Sequence, residues 1–215
     1  SGGNRLCGMI DKILHLSNLG QGGGRPEAKP VPLQRLCADV TGAFASSEPG
    51  RAMPFTVDIA PEDITVNCDQ RMLRQIVHEL VDNAVKFSKP GDEVRIAGRL
   101  LPDGRTSLRV QDRGIGIPED KLLAVTDPFL PVDDYYARTP EGIGLGLALV
   151  KHFVDLHQGD LRVANGAENG LVVDVILPQT APTPQAAGAH ALAQSKALST
   201  GARRSRMNQD RPDLH

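Results

Sequence analysis

Glu79, Asn83 and Lys86 recur at about one-turn intervals within residues 69–88, which puts them on one stripe of a helix. Asn83 carries a carbonyl oxygen, a hard ligand of the kind Mg²⁺ takes up together with substrate phosphates. Lys86 can neutralise phosphate charge, and Glu79 can hold a metal-bound water or act as a base. Alone, the three describe the solvated face of any surface helix, but two glycine clusters downstream change that. Asp112 precedes Gly114 and Gly116, while Gly142, Gly144 and Gly146 run straight into the apolar residues Leu147, Leu149, Val150, Phe153 and Val154. Glycine lets the backbone come close to a ligand. Successive amides ending at a helix N-terminus then offer donors and a positive dipole end to an anion. Asp112 is an acceptor able to take a hydrogen bond from an exocyclic amine such as that of adenine. Its plainer reading is a turn-former ahead of glycines. No Gly-Lys-Ser/Thr follows the second cluster, so it is not a P-loop, and it does not open a βαβ unit. His78-Glu79-x-x-Asp82 has Asp where a zinc-protease helix needs its second His.

These residues need a scaffold. Leu73, Ile76, Val77, Leu80, Ala84 and Phe87 recur at i, i+3, i+4 and i+7, which predicts a helix over 69–88 with one face toward a core. Lys89-Pro90-Gly91 stops it. Strands 94–101 and 107–111 form a hairpin around Pro102-Asp103-Gly104-Arg105. Upstream, 33–45 reads as a helix entered from Pro30 and Pro32, and 55–59 and 64–68 as short strands. Pro118 opens a short helix over 118–125, and 126–141, without periodicity, reads as a mobile loop. A helix at 143–157 and strands at 160–164 and 171–177, joined at Asn169-Gly170, complete the pattern. Helices and mostly antiparallel strands alternate irregularly, which favours an α+β two-layer sandwich: a mixed sheet with helices on one face.

The ends read differently. Leu6, Ile10, Ile13, Leu14 and Ser17 give residues 4–19 one amphipathic stripe that needs a partner helix. Gln21-Gly22-Gly23-Gly24-Arg25-Pro26 is a flexible linker. Beyond Pro178 the composition turns to Ala, Pro, Gln and Ser without a core-forming pattern, so 179–215 is expected to be disordered. The division is thus 1–22, 23–178 and 179–215. With 24 basic against 26 acidic residues, nothing suggests a nucleic-acid surface. Trp is absent, leaving a core of Leu, Val and Ile. Cys7, Cys37 and Cys68 have neither disulfide nor metal spacing and suit a reducing compartment. No run approaches the roughly 20 apolar residues of a membrane helix, so the expectation is a cytoplasmic chain without membrane contact.

Taken together, the motifs resemble the catalytic ATP-binding domain of two-component sensor histidine kinases, a family shared with gyrase, Hsp90 and MutL. The stretch from His78 to Ser88 is similar to the N-box and Asp112–Ile117 to the first glycine box. Asp127-Pro128-Phe129 is similar to the F-box, and Gly142–Leu147 to the second glycine box. Residues 13–19 resemble the end of the dimerisation helix that precedes such domains. The resemblance implies a Bergerat-type ATP-binding fold, with ATP and Mg²⁺ as cofactors. It makes Asp112 the adenine anchor, Asn83 and Glu79 the metal and catalytic residues, and 126–141 the lid. Lys86 and Arg138 would reach the phosphates. Phe87, Gly114, Gly116, Ile117, Gly142, Gly144, Leu145 and Gly146 would complete the pocket. It further implies transfer of the γ-phosphoryl group to a histidine, relay to a response-regulator receiver domain, and a homodimer built on a four-helix bundle.

Three features depart from the pattern. The phosphoacceptor motif does not occur in the 215 residues, so the resemblance places that histidine outside them; His15, His78, His152 and His157 are poor candidates. Glu79 stands where many of these kinases have Asn, as in gyrase-like ATPases. Thr126 and Leu171 replace the first F-box Phe and a Thr of the last glycine motif. A gyrase-type ATPase and a nucleotide-free docking module are therefore the alternatives to a kinase.

Overall fold

The computed structural model describes residues 26–47, 53–122, 125–126, 145–167 and 169–178. Its central helix begins at Asp69, whose carboxylate accepts hydrogen bonds from the amides of Arg71 and Met72, a side-chain N-cap. From there α2 (Gln70–Phe87) runs to Ser88 and Pro90. Leu73, Ile76, Val77, Leu80, Val81 and Ala84 are buried along it. Phe87, expected on the same stripe, is only half-buried at the end of the helix. Among the described residues the other helices are α1 (Leu33–Ser47), the single turn α3 (Glu119–Leu122) and α4 (Gly146–Leu156).

Five strands form the main sheet: β2 (Phe55–Ala60), β4 (Val94–Leu100), β5 (Thr106–Gln111), β7 (Leu171–Leu177) and β6 (Asp160–Asn165), in the order β2-β4-β5-β7-β6. The first pair is parallel and the rest antiparallel. Side chains alternate across it. Ile96, Leu108, Val110, Val173, Val175 and Leu177 are buried. Between them, Arg109 opposite Asp174 forms a two-pronged ion pair on the outer face. One apolar and one charged face is what a sheet covered on one side requires. The cover is α1 against β2 and β4, α2 against β4 and β5, and α4 against β6 and β7, with α2 in contact with both other helices.

The sequence reading missed β1 (Lys29–Pro32), which pairs antiparallel with β3 (Thr65–Cys68) in a separate two-stranded sheet. Two prolines in four residues argue against a strand, but an edge strand tolerates a missing donor on its open side. The short helix after Pro118 is described over Glu119–Leu122, and residues 123–124 of the expected span lie outside the described residues. The buried Cys37 and Cys68 thiols are pushed up to about 12 by desolvation, so both behave as core apolar groups. Among the described residues, no helix is long and apolar enough to cross a membrane. The helix expected at 4–19, Cys7, His15 and the tail after Pro178 lie outside the described residues.

Candidate functional site

The end of β5 carries the first part of the site. Asp112 is 8% exposed, and its Oδ1 accepts from the amides of Gly114 at 2.8 Å and Leu171 at 3.0 Å. Among the described residues Oδ2 has no hydrogen-bond partner, so the carboxylate is fixed by one oxygen and offers the other. Burial pushes its pKa above the ordinary carboxylate value, against the pull of the two amides. A Cβ on Gly114 would lie 2.4 Å from the Phe87 carbonyl oxygen. Only glycine lets this loop rest on the end of α2. Gly116 follows at φ +67°, in the left-handed region.

The second part lies where α4 meets α2. A Cβ on Gly146 would stand 3.0 Å from Glu79 Oε2 and 3.3 Å from Asn83 Nδ2, so the start of α4 faces both side chains across one small space. Leu145, the N-cap, makes no side-chain capping bond. The first-turn amides of α4 therefore sit beside two oxygen-bearing side chains. That combination suits an anion held at a helix N-terminus with a hard cation next to it. Glu79 is 1% exposed and its Oε1 accepts from Gln75 Nε2 at 2.9 Å. Lys86, half-buried, forms an ion pair one turn back with Asp82.

The structure thus brings together Glu79, Asn83, Leu145 and Gly146 at one end of the helix pair. It joins Phe87, Asp112, Gly114, Gly116 and Ile117 at the end of β5. Arg138, Gly142 and Gly144 lie outside the described residues, as does all of the expected lid except Thr126. Of the histidines, His157 is buried with both ring nitrogens engaged: Nε2 accepts the Asp69 amide at 3.0 Å and Nδ1 contacts the Phe153 carbonyl at 2.7 Å. His78 packs against the Phe44 ring, with centroids 4.9 Å apart.

Two participants were missed in the sequence. Gly170, expected only as a turn residue, also makes room for the site: a Cβ there would lie 2.2 Å from the Asp112 carbonyl oxygen. Asn165 ends β6 and reaches back across 48 positions to both backbone groups of Ile117. An Asn ahead of a turn signals the turn, and nothing local betrays the distant contact.

The donor set fits a magnesium nucleotide. A spare carboxylate oxygen suits an amine, glycines leave room for backbone approach, and oxygen side chains adjoin the first-turn amides of a helix. Residues 68–181, more than half of the chain, match the family of histidine kinase-, DNA gyrase B- and HSP90-like ATPases. The sensor-like histidine kinase SenX3 of Mycolicibacterium smegmatis is 32% identical over 183 residues, 85% of this chain and 47% of the relative. An uncharacterized sensor-like histidine kinase of Rhizobium meliloti is 30% identical over 179 residues, 83% of this chain and 34% of the relative. The chain spans about a third to a half of the length of these relatives. Among solved structures, the mycobacterial sensor histidine kinase MprB superposes with a TM-score of 0.61 at 29% identity, over 72% of this chain and 99% of that one. Full-length ShkA in complex with AMPPNP gives a TM-score of 0.73 at 23% identity, over 85% of this chain and 37% of that one, a likeness of fold. The chain belongs to the histidine kinase-, gyrase B- and HSP90-like ATPases, and its matched region is the ATP-binding catalytic domain of a sensor histidine kinase.

Proposed function

We propose that this domain binds ATP with Mg²⁺ and donates the γ-phosphoryl group to a histidine of the same signalling protein, for relay to a response-regulator receiver domain. Asp112 Oδ2 accepts the adenine amine, and Gly114, Gly116 and Ile117 lie along the base. Asn83 and Glu79 hold the metal ion, which when bound neutralises triphosphate charge. Gly146 and Leu145, with Gly142 and Gly144, carry the phosphates at the start of α4, helped by Lys86 and by Arg138 of the lid. A histidine nitrogen forms the new bond to phosphorus as the bond to the bridging oxygen breaks and ADP leaves. Such transfers depend mainly on positioning and charge neutralisation, which is what this arrangement supplies. The parent is a homodimer in the cytoplasm or anchored at a membrane, with 1–22 as one bundle helix and 179–215 as a tail.

The observation that carries the reading is Asp112, nearly buried, fixed by one oxygen and offering the other. Calorimetric titration with ATP and Mg²⁺, beside Asp112→Asn, tests it. Binding that the substitution weakens at least about tenfold is the expected result. No binding by the unaltered protein would favour a docking module, and equal binding by both would remove Asp112 from the site. Glu79 beside Gly146 favours a second reading, water activation as in gyrase-type ATPases. Steady phosphate release that Glu79→Ala abolishes would establish it.

A further inference from the structure

Asn165 stands apart from the polar residues around it. Its Oδ1 accepts the Ile117 amide at 2.8 Å while its Nδ2 donates to the Ile117 carbonyl at 2.7 Å. Only one orientation of the side-chain amide satisfies both bonds. The residue is exposed, so burial does not force these contacts. They hold the part of the glycine box that has no ladder partner. Asp112 is already tied to Leu171, its amide donating to the Leu171 carbonyl and its carboxylate accepting the Leu171 amide. The β6–β7 turn thereby grips the loop at Asp112 through backbone and at Ile117 through one side chain. Between the two grips lies Gly116 at φ +67°, where a Cβ would stand 2.9 Å from Asn165 Oδ1 and 3.3 Å from the Gly170 carbonyl oxygen. Asn165 thus fixes the far end of residues 113–116, as Leu171 fixes the near end at Asp112; a loop that is loosened has to be ordered when a ligand binds, which weakens binding.

We propose that Asn165 is a positioning residue for the adenine side of the nucleotide pocket, clamping Ile117 so that the glycine box is ordered before the base arrives. The assignment rests on the nucleotide reading above and adds to it a residue of another strand. It predicts that loss of the clamp weakens nucleotide affinity without unfolding the domain, since an exposed side chain contributes little to the core.

The test compares the whole 215-residue chain with Asn165→Leu, similar in shape but unable to hydrogen-bond, and with Asn165→Ser. Three quantities are measured: hydrogen exchange of the Ile117 amide, melting temperature, and ADP affinity by calorimetry well below melting. Asn165→Leu should speed Ile117 exchange and weaken ADP binding about tenfold, as expected for two modest hydrogen bonds, with melting shifted by only a few degrees. Asn165→Ser, the gentler change, should fall between, and it decides the matter if the Leu variant is poorly folded. ADP affinity within twofold of the unaltered protein, or unchanged Ile117 exchange, would overturn the assignment, because a purely structural side chain would move melting alone. If the unaltered protein binds no ADP while exchange still responds, the nucleotide reading fails and this role fails with it.

Discussion

Asp69 and Asp112 are both nearly buried, 2% and 8% exposed, but their surroundings treat the charge in opposite ways. At Asp69 burial opposes ionisation, yet hydrogen bonds from the Arg71 side chain and the amides of Glu27, Arg71 and Met72 outweigh it and hold the pKa down to about 2. Both oxygens are used: Oδ1 by the start of α2, Oδ2 by the Glu27 amide and the Arg71 guanidinium. At Asp112 burial wins, with two amides on one oxygen. A carboxylate that serves the fold has its acceptors filled by the chain. One kept partly unfilled, in a setting that disfavours its charge, is a candidate for holding a ligand.

Replacing the two residues should separate these roles. Asp112→Asn keeps an oxygen for Gly114 and Leu171 but turns a donor toward the adenine amine. The loss is that of a charged hydrogen bond, about 1.5–3 kcal/mol or roughly 10- to 150-fold in ATP affinity. Because the folded-state pKa is raised, ionised Asp112 weakens the fold at neutral pH. The variant should therefore melt at the same temperature or higher, and calorimetry with thermal unfolding reads both effects. Asp69→Ala should do the reverse. Removing the N-cap costs about 1–2 kcal/mol, visible in urea unfolding, while ATP affinity per folded molecule stays unchanged. Equal effects of both substitutions on binding would dissolve the distinction.

The two sites were also unequally legible. The stripe of Leu73, Ile76, Val77 and Leu80, and strands set off by turn residues such as Pro102-Asp103-Gly104-Arg105 and Asn169-Gly170, announced an α+β sandwich, because burial on one side imposes the helical period and tight turns need those residue types. The proposed nucleotide side was legible through Asp112, Gly114 and Gly116, whose requirement for space is local in sequence. What pairs residues far apart left no such trace. The Asp69 amide meets His157 across 88 positions, and Asn165 meets Ile117 across 48. Strand β1 was hidden by Pro30 and Pro32, and the parallel β2–β4 register by the absence of any local sign of strand direction.

Acid should probe the structural end of the helix pair. Burial lowers the His157 pKa below the ordinary 6.5, although the Phe153 carbonyl and Asp69 favour its charge. The neutral ring is the form that accepts the Asp69 amide, so a second proton would set two donors face to face. The unfolded chain takes that proton first, so the contribution is complete above pH 6.5 and declines as pH falls below it. Asp69 adds its own loss further down, as pH drops from 3.8 toward 2. Urea midpoints at pH 7.5, 6.5 and 5.5 should decline, and His157→Gln should flatten that slope while lowering stability at pH 7.5. A slope unchanged by the substitution would assign it to another group.

The smallest effect concerns Lys86, which the functional end must share with Asp82. The pair is spaced i to i+4 with the acid on the N-terminal side, the favourable order on a helix, and both side chains are mostly covered. A phosphate that recruits Lys86 has to compete with Asp82, whereas no comparable competitor stands at Asp112 among the described residues. Asp82→Asn removes the competitor's charge and leaves the lysine in place. It should tighten ATP binding by about 0.3–0.5 kcal/mol, roughly twofold, at the cost of a similar amount of helix stability. The gain should shrink in high salt, which screens charges that are not fully buried. Unchanged affinity at low salt would mean that Lys86 stays with the helix, leaving the phosphates to the α4 amides and the lid.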